Sequence, residues 1–322
     1  MIVSVVLAVV LALALAAAVA ALIVSERRAA APERRRPVVT SAVTGPEALK
    51  TVDAGLRALA AECVRTGRDL PDIYAVTCSE THLTLRLATP DTEAPRPWMA
   101  DEQGEEWSLA KVDMRPGTVL DEASPYPLTV TAGLGGGDRI LIDLARAGAP
   151  IAVTGGTADV RKLTAAFVTE LLTGPVGREA EVTLVGSAAS TEVRNAIGVR
   201  SPRLHTAATL REAVARGSDD AMVASGDESP GTQVFQMIQG RAAADGSPGV
   251  PGLFVVDAEQ YHEEKASPGL PAPGRGPAGA LLVIGDLTDA AWRFDVRSDG
   301  SLDTGALGLA VEAHAARPPA RH

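Results

Sequence analysis

A glycine turn between a predicted strand and a predicted helix comes closest to a chemical motif. A phosphate-binding loop at such a turn has the spacing G-x-x-x-x-G-K-[ST], because its amides cradle phosphates, its lysine neutralises them and its hydroxyl holds Mg²⁺. Counted from Gly155, the last three positions fall on Val160, Arg161 and Lys162. Counted from Gly156, they move one residue along and again lack the second glycine and the hydroxyl. The turn therefore predicts a degenerate nucleotide site, and a structural relic is favoured over a working loop.

Asp257 ends a second apolar strand, a position typical of the carboxylate that organises Mg²⁺ beside a phosphate-binding loop. An aspartate also suits the turn that follows a strand, and this structural role is the alternative. The candidate nucleotide-binding residues are therefore Gly155, Gly156, Lys162 and Asp257. No catalytic residue, metal site or bound cofactor is expected. In particular, His262-Glu263-Glu264 lacks the second histidine of a zinc-binding helix.

The elements around these residues alternate between apolar strands and helices. Such alternation predicts a parallel sheet that is covered on both faces. The fold class is accordingly α/β, with a P-loop-like three-layer domain over residues 121–316, a mostly parallel sheet and a C-terminal hairpin. Its predicted elements are a hairpin of 128–131 and 139–144, strands at 151–153, 182–185, 253–256 and 280–284, helices at 160–172, 206–216 and 233–244, and the last hairpin from Trp292, turning at Asp299-Gly300.

Residues 45–120 have a different pattern, which predicts a small α+β unit. A helix begins at Pro46 and ends at Gly67, with apolar residues at helical spacing between them. Strands follow at 73–76 and 83–87 and near Trp107. Residues 317–322 are predicted to be a disordered tail.

The N-terminal residues predict a membrane anchor. Residues 1–24 form an apolar run with one polar residue, Ser4, which is long enough to span a bilayer as a single helix. No basic residue precedes the run, as it would in a cleaved signal peptide, and five arginines follow it within the linker of residues 25–44. Because positive flanks stay in the cytoplasm, we expect a single-pass protein of the cell membrane with a cytoplasmic body. Cleavage and secretion are the alternative.

The charge of the body argues against nucleic acid as a partner. The chain carries a net charge of −10, and since residues 1–36 contribute +3, the remaining residues carry −13. An acidic surface without a basic stripe is a poor match for a phosphate backbone. The expected partners are the lipid bilayer, through residues 1–24, and an unidentified protein.

Several short runs in the body resemble those of a known group of proteins. The runs are Arg68-Asp69-Leu70-Pro71-Asp72-Ile73-Tyr74, Pro95-Arg96-Pro97-Trp98, Glu106-Trp107-Ser108-Leu109, Pro125-Tyr126-Pro127, Leu141-Ile142-Asp143-Leu144 and Trp292-Arg293-Phe294. The group that they resemble is the middle region of large actinobacterial membrane proteins that often carry LysM or bacterial transcriptional activator domains. The resemblance implies a membrane protein, and it implies neither peptidoglycan binding nor transcriptional activation.

A weaker similarity joins the body to the FtsK-type and type VII secretion motor ATPases. It rests on Asp143-Leu144, Pro150, Gly155, Asp257 and the strand at Leu281. In those motors a strand-preceded P-loop and an acidic second strand bind ATP, so the similarity implies a nucleotide-binding fold. The loop of this chain departs from the motif at Val160, Arg161 and Lys162.

Together these patterns favour a membrane-anchored cytoplasmic protein that acts as a non-catalytic scaffold or regulator on a degenerate nucleotide-binding fold. One alternative is a weak P-loop nucleoside triphosphatase that uses Lys162 and Asp257. The other is an extracytoplasmic protein associated with the cell envelope.

Overall fold

A computed structural model describes residues 41–114, 124–215, 251–265 and 279–312. No helix among these residues is long and apolar enough to cross a membrane. The predicted anchor of residues 1–24, most of the 25–44 linker, the helix at 233–244, the boundary at residue 120 and the tail of 317–322 lie outside the described residues.

The first long helix has the limits that the sequence predicts. A short helix α1 (Ser41–Thr44) is followed by α2 (Pro46–Thr66), which has proline in its first turn. Gly67 ends α2 with φ +66°, a left-handed conformation that glycine adopts without a steric penalty. The amide of Arg68 then donates to the carbonyl of Cys63 at 2.9 Å. The helix buries one apolar face, which includes Val52, Leu56 and Leu59.

The first six strands are antiparallel. They include two hairpins and a two-residue strand at the edge of the sheet. Tight turns join β1 to β2 and β5 to β6, so the predicted strands at 73–76 and 83–87 and the predicted 128–144 hairpin are confirmed. The strands are β1 (Ile73–Cys78), β2 (His82–Leu87), β3 (Met99–Ala100), β4 (Glu106–Ala110), β5 (Thr129–Gly135) and β6 (Asp138–Asp143).

Strands and helices then alternate along the chain, and a final antiparallel segment follows them. The elements are β7 (Ile151–Gly155), α3 (Thr157–Thr173), β8 (Glu181–Val185), α4 (Thr191–Ile197), β9 (Leu204–Ala207), β10 (Gly252–Asp257), α5 (Ala258–Lys265), β11 (Gly279–Ile284), β12 (Trp292–Val296), β13 (Ser301–Asp303) and β14 (Ala310–Glu312). Residues 210–215 are also helical.

All fourteen described strands belong to one sheet, in the order β3-β4-β2-β1-β6-β5-β14-β13-β12-β7-β11-β10-β8-β9. The run from β12 to β9 is parallel, and the other neighbours are antiparallel. The predicted parallel sheet is therefore limited to this run. Because β1 pairs with β6, the sheet continues from the predicted α+β unit into the predicted α/β domain.

The parallel run has helices on both of its faces. Val153, Val255 and Leu282 pack in a cluster with residues of α3. Their neighbours on the same strands, such as Val256 and Val283, pack in another cluster with residues of α5 and of the 210–215 helix. Since successive residues of a strand point to opposite faces, this division confirms three layers in the parallel part of the sheet.

One predicted helix begins later than its sequence suggests. The predicted helix at 206–216 overlaps β9, which pairs in parallel with β8 and places Thr183 opposite His205. Helical structure starts only at residue 210. The reason is tertiary, because β9 covers the backbone edge that β8 would otherwise expose.

A group of charges around the buried Arg57 and Asp53 connects α2 to the segment that follows α3. The Arg57 guanidinium donates from Nε to Asp53 Oδ1 at 2.8 Å and from Nη2 to Glu179 Oε1 at 3.3 Å. Arg178 Nη2 donates to the second oxygen of Asp53 at 3.2 Å. Arg57 and Asp53 are both buried, so each depends on the other for compensation.

Candidate functional site

A cavity of about 470 Å³ opens at the carboxyl ends of the parallel strands. The ends of β7, β10 and β11 and the segment after β8 border it, together with the first two turns of α3. In open α/β sheets, ligands bind at this edge of the sheet. The lining residues used below are Thr154, Gly155, Thr157, Val160, Arg161, Thr164, Ser187, Asp257, Ile284 and Asp286.

The two glycines of the turn have different structural roles. Gly155 lines the cavity and has φ +130°, and a Cβ there would overlap the carbonyl oxygen of Val296 on the neighbouring β12. Gly156 has φ −65°, and the nearest atom to a Cβ there is Asp159 Oδ2 at 3.4 Å. The close approach of β7 and β12 thus requires glycine only at position 155.

The connection between β7 and α3 is a single residue, Gly156. The structure starts α3 at Thr157, three residues before the predicted start at Val160. The carbonyl of Gly156 already accepts from the amides of Asp159 and Val160, at 2.8 and 2.9 Å. A phosphate-binding loop needs several residues between its strand and helix, so that their amides surround the phosphates. This connection has no such loop.

Lys162 is turned away from the cavity. Its Nζ donates to Asp159 Oδ1 at 3.0 Å, one turn back on α3, and 59% of its side chain is exposed. The neighbouring Arg161 lines the cavity instead, and its Nη2 lies 3.1 Å from Glu192 Oε2. The structure therefore does not bring Lys162 together with Gly155 and Asp257 around the cavity.

Asp257 lines the cavity and caps the helix that follows it. Its Oδ1 accepts from the amide of Gln260 at 2.9 Å, in the first turn of α5. Its Oδ2 accepts from the hydroxyl of Ser187, which follows β8. Among the described residues no lysine or arginine pairs with this carboxylate. Asp257 thus lines the cavity, and it also stabilises the turn after its strand, which is the structural role that the sequence left as the alternative.

The cavity residues that the sequence did not single out include Thr164, Ser187 and Asp286. Thr164 lies on the same face of α3 as Thr157 and Arg161, at positions i, i+4 and i+7 from Thr157. Ser187 reaches the site only because β8 lies beside β10, and Asp286 because β11 does. Helical spacing from Thr157 was available as a signal for Thr164, whereas the other two depend on the strand order.

The Thr164 hydroxyl lacks a hydrogen-bond partner. The residue is 1% exposed, and its Oγ1 is among the buried polar atoms that find no partner in the described parts of the chain. Buried polar groups in proteins are normally satisfied, so each exception needs an explanation.

The described residues contain no group of three or more histidine, cysteine, aspartate or glutamate side chains that could hold a metal ion. The carboxylates of the cavity, Asp257 and Asp286, are accompanied by Arg161 rather than by a third acidic ligand. Divalent cations in all-protein sites usually take more oxygen ligands than these.

Comparisons with known proteins leave the family open. No known protein family and no curated protein matches the sequence. Among solved structures, this chain is similar to the monomer form of the pCW3 conjugation coupling protein TcpA with ATPγS, at a TM-score of 0.36 and 10% identity over 82% of this chain and 94% of that chain.

A second solved structure is EccC of Thermomonospora curvata (ATPases 2 and 3) in complex with a signal sequence peptide. Its TM-score is 0.31 at 12% identity, over 56% of this chain and 36% of that chain. Both TM-scores lie below 0.5, so neither structure indicates a function for this chain. The resemblance to actinobacterial membrane proteins stays a prediction.

Proposed function

We propose that this chain is a non-catalytic scaffold or regulator built on a P-loop-like α/β fold. The observation that carries the proposal is the single-residue connection at Gly156, which leaves no loop to surround the phosphates of a nucleotide. Phosphoryl transfer depends almost entirely on positioning and charge stabilisation of those phosphates.

The charges near the turn support the same conclusion. Lys162 forms an ion pair with Asp159, and the carboxylate of Asp159 lies in the first turn of α3. That carboxylate offsets the positive end of the helix dipole, which would otherwise attract a phosphate. Asp257 is the one predicted acidic residue at the cavity, and it already binds Ser187 and the α5 amide.

The competing function is a weak nucleoside triphosphatase that uses Lys162 and Asp257. A hydrolysis assay with Mg²⁺ and ATP or GTP separates the two functions. We expect the full chain to release no more phosphate than its Lys162→Ala variant. Mg²⁺-dependent turnover that is lost in both Lys162→Ala and Asp257→Asn would support the enzyme and reject the scaffold.

We also propose that residues 1–24 anchor the protein in the cell membrane with its body in the cytoplasm. The support is the group of five arginines that follows the apolar run. A reporter that is active only in the cytoplasm should be active when fused after His322. An inactive reporter, together with activity of a periplasmic or extracellular reporter at the same position, would favour the envelope alternative.

The scaffold is proposed to act through a protein partner. Crosslinking in native membranes should capture the same protein in repeated experiments and lose it when the cavity-bearing body is deleted. Capture that survives this deletion would assign the interaction to the anchor and contradict a scaffold built on the α/β fold.

A further inference from the structure

We propose that the cavity at the carboxyl ends of β7, β10 and β11 binds a small organic cation of the aliphatic amine class. The inference rests on the proposed function, since it assigns to this cavity a ligand that needs no phosphate-binding loop. Its volume of about 470 Å³ lies within the range of small-molecule sites, about 300–1,000 Å³.

The charges that line the cavity favour a cation. Arg161 is paired with Glu192, and Asp286 is paired with Arg293. The third lining charge is the carboxylate of Asp257, which receives hydrogen bonds but has no cationic partner among the described side chains. A ligand ammonium would supply that missing charge and form the stronger, charge-assisted type of hydrogen bond.

The unpartnered hydroxyl of Thr164 is an independent sign of a ligand. It lies on the cavity face of α3, two turns after Thr157, and it is fully buried without a hydrogen bond. A buried hydroxyl without a hydrogen bond is destabilising, and a ligand donor in the cavity would remove that penalty. Ammonium groups carry three donors and no acceptor, so they match a carboxylate and a hydroxyl oxygen together.

The remaining walls suit the stem of such a ligand. Val160 and Ile284 line the cavity beside Thr154 and Ser187. An aliphatic amine has an apolar stem with a charged group at one or both ends. The stem packs against valine and isoleucine, while an ammonium stays with the polar groups. A nucleotide lacks this distribution, because its charge is negative and spread over several phosphates.

Three four-carbon probes of matched length test the charge requirement. They are 1,4-diaminobutane, butane-1,4-diol and butanedioate, which share a four-carbon backbone and carry positive, neutral or negative ends. Calorimetric titration of the full chain should show binding of the diamine, at least tenfold weaker binding of the diol and none of the dianion. Equal binding of diamine and diol would overturn the proposal.

Two variants test whether the diamine binds at this cavity. A third controls for the general attraction of an acidic protein for amines. Asp257→Asn keeps an oxygen that caps α5 but loses the charge, and it should weaken diamine binding at least tenfold. Thr164→Val should weaken it several-fold. Glu102→Gln removes one exposed charge at the β3–β4 edge, far from β10 in the sheet, and should leave binding unchanged.

The outcomes distinguish this proposal from the proposed function. Failure of every probe to bind, or equal losses in Asp257→Asn and Glu102→Gln, would overturn the amine site and leave the scaffold untouched. Tight binding of Mg²⁺ and ATP in the same titration series would overturn both. Diamine binding that Asp257→Asn and Thr164→Val weaken, and Glu102→Gln does not, would establish the site.

Discussion

At the scale of single residues, adjacent glycines of one turn carry different constraints. Gly155 is held at φ +130° against the carbonyl of Val296, while Gly156 has an ordinary φ and space around its α-carbon. The prediction from sequence treated both residues as one glycine turn, because a sequence shows neither the close approach of β12 nor the sign of φ.

Substituting each glycine separately tests this assignment. Gly155→Ala should lower the free energy of unfolding by about 1–3 kcal/mol, because a Cβ there strains the backbone and separates β7 from β12. Gly156→Ala is the matched control and should change it much less. Denaturant unfolding of both variants gives the comparison, and an equal loss in the two would show that the turn has another conformation.

The threonines at 164 and 131 form a second pair with contrasting environments. Thr164→Val should leave the thermal midpoint unchanged or raise it, because the variant removes a buried hydroxyl that has no partner. Thr131→Val should lower the midpoint, because Thr131 Oγ1 lies 2.9 Å from both Glu170 Oε1 and Arg139 Nη1. Thermal unfolding without ligand measures both, and a loss at Thr164 as large as at Thr131 would reveal a structural partner for its hydroxyl.

At the scale of elements, local signals predicted α2 and most strands, whereas pairing decided the rest. Pro46 and Gly67 set the limits of α2, and alternating burial marks β2. The sequence placed the start of α3 three residues too late, at Val160, although Asp159 already lies in the first turn of the helix. β9 was not predicted, because that segment is a strand only through its pairing with the edge of β8, which the sequence does not show.

The link between α2 and the segment after α3 has a measurable role. Arg57→Met should lower the free energy of unfolding by about 3–5 kcal/mol, because it leaves the buried carboxylate of Asp53 without its main partner. Arg65→Met is the control on the same helix, since its pair with Glu62 is exposed on the arginine side and should contribute far less to stability. Equal effects of the two variants in chemical denaturation would contradict the assignment.

At the scale of the whole molecule, one sheet joins parts that differ in sequence pattern. The pairing of β1 with β6 connects residues that are distant in sequence, and hydrophobic periodicity carries no information on which strands become neighbours. The candidate site was therefore predicted only in part. Gly155 and Asp257 both line the cavity, whereas Lys162 pairs with Asp159, which the predicted helix start at Val160 left outside the helix.

Burial of both cysteines determines how the membrane topology is tested. Cys63 and Cys78 are fully buried, and burial raises the pKa of Cys63 to about 11, so neither thiol should react in the folded protein. Val112→Cys places a thiol at a position that is 87% exposed. An impermeant thiol reagent should label this variant only after the cells are permeabilised, with the unaltered protein as the unlabelled control. Labelling of Val112→Cys in intact cells would reverse the proposed orientation.

The central claim is that this fold has no working phosphate site, and calorimetric titration of Mg²⁺ and ATP into residues 37–322 tests it most directly. This fragment contains the compact unit that begins at Val39. The single-residue connection at Gly156 predicts an affinity no better than about millimolar, or about 4 kcal/mol, and the same value for Lys162→Ala. Low-micromolar binding that requires Mg²⁺ and disappears in Lys162→Ala would contradict the account.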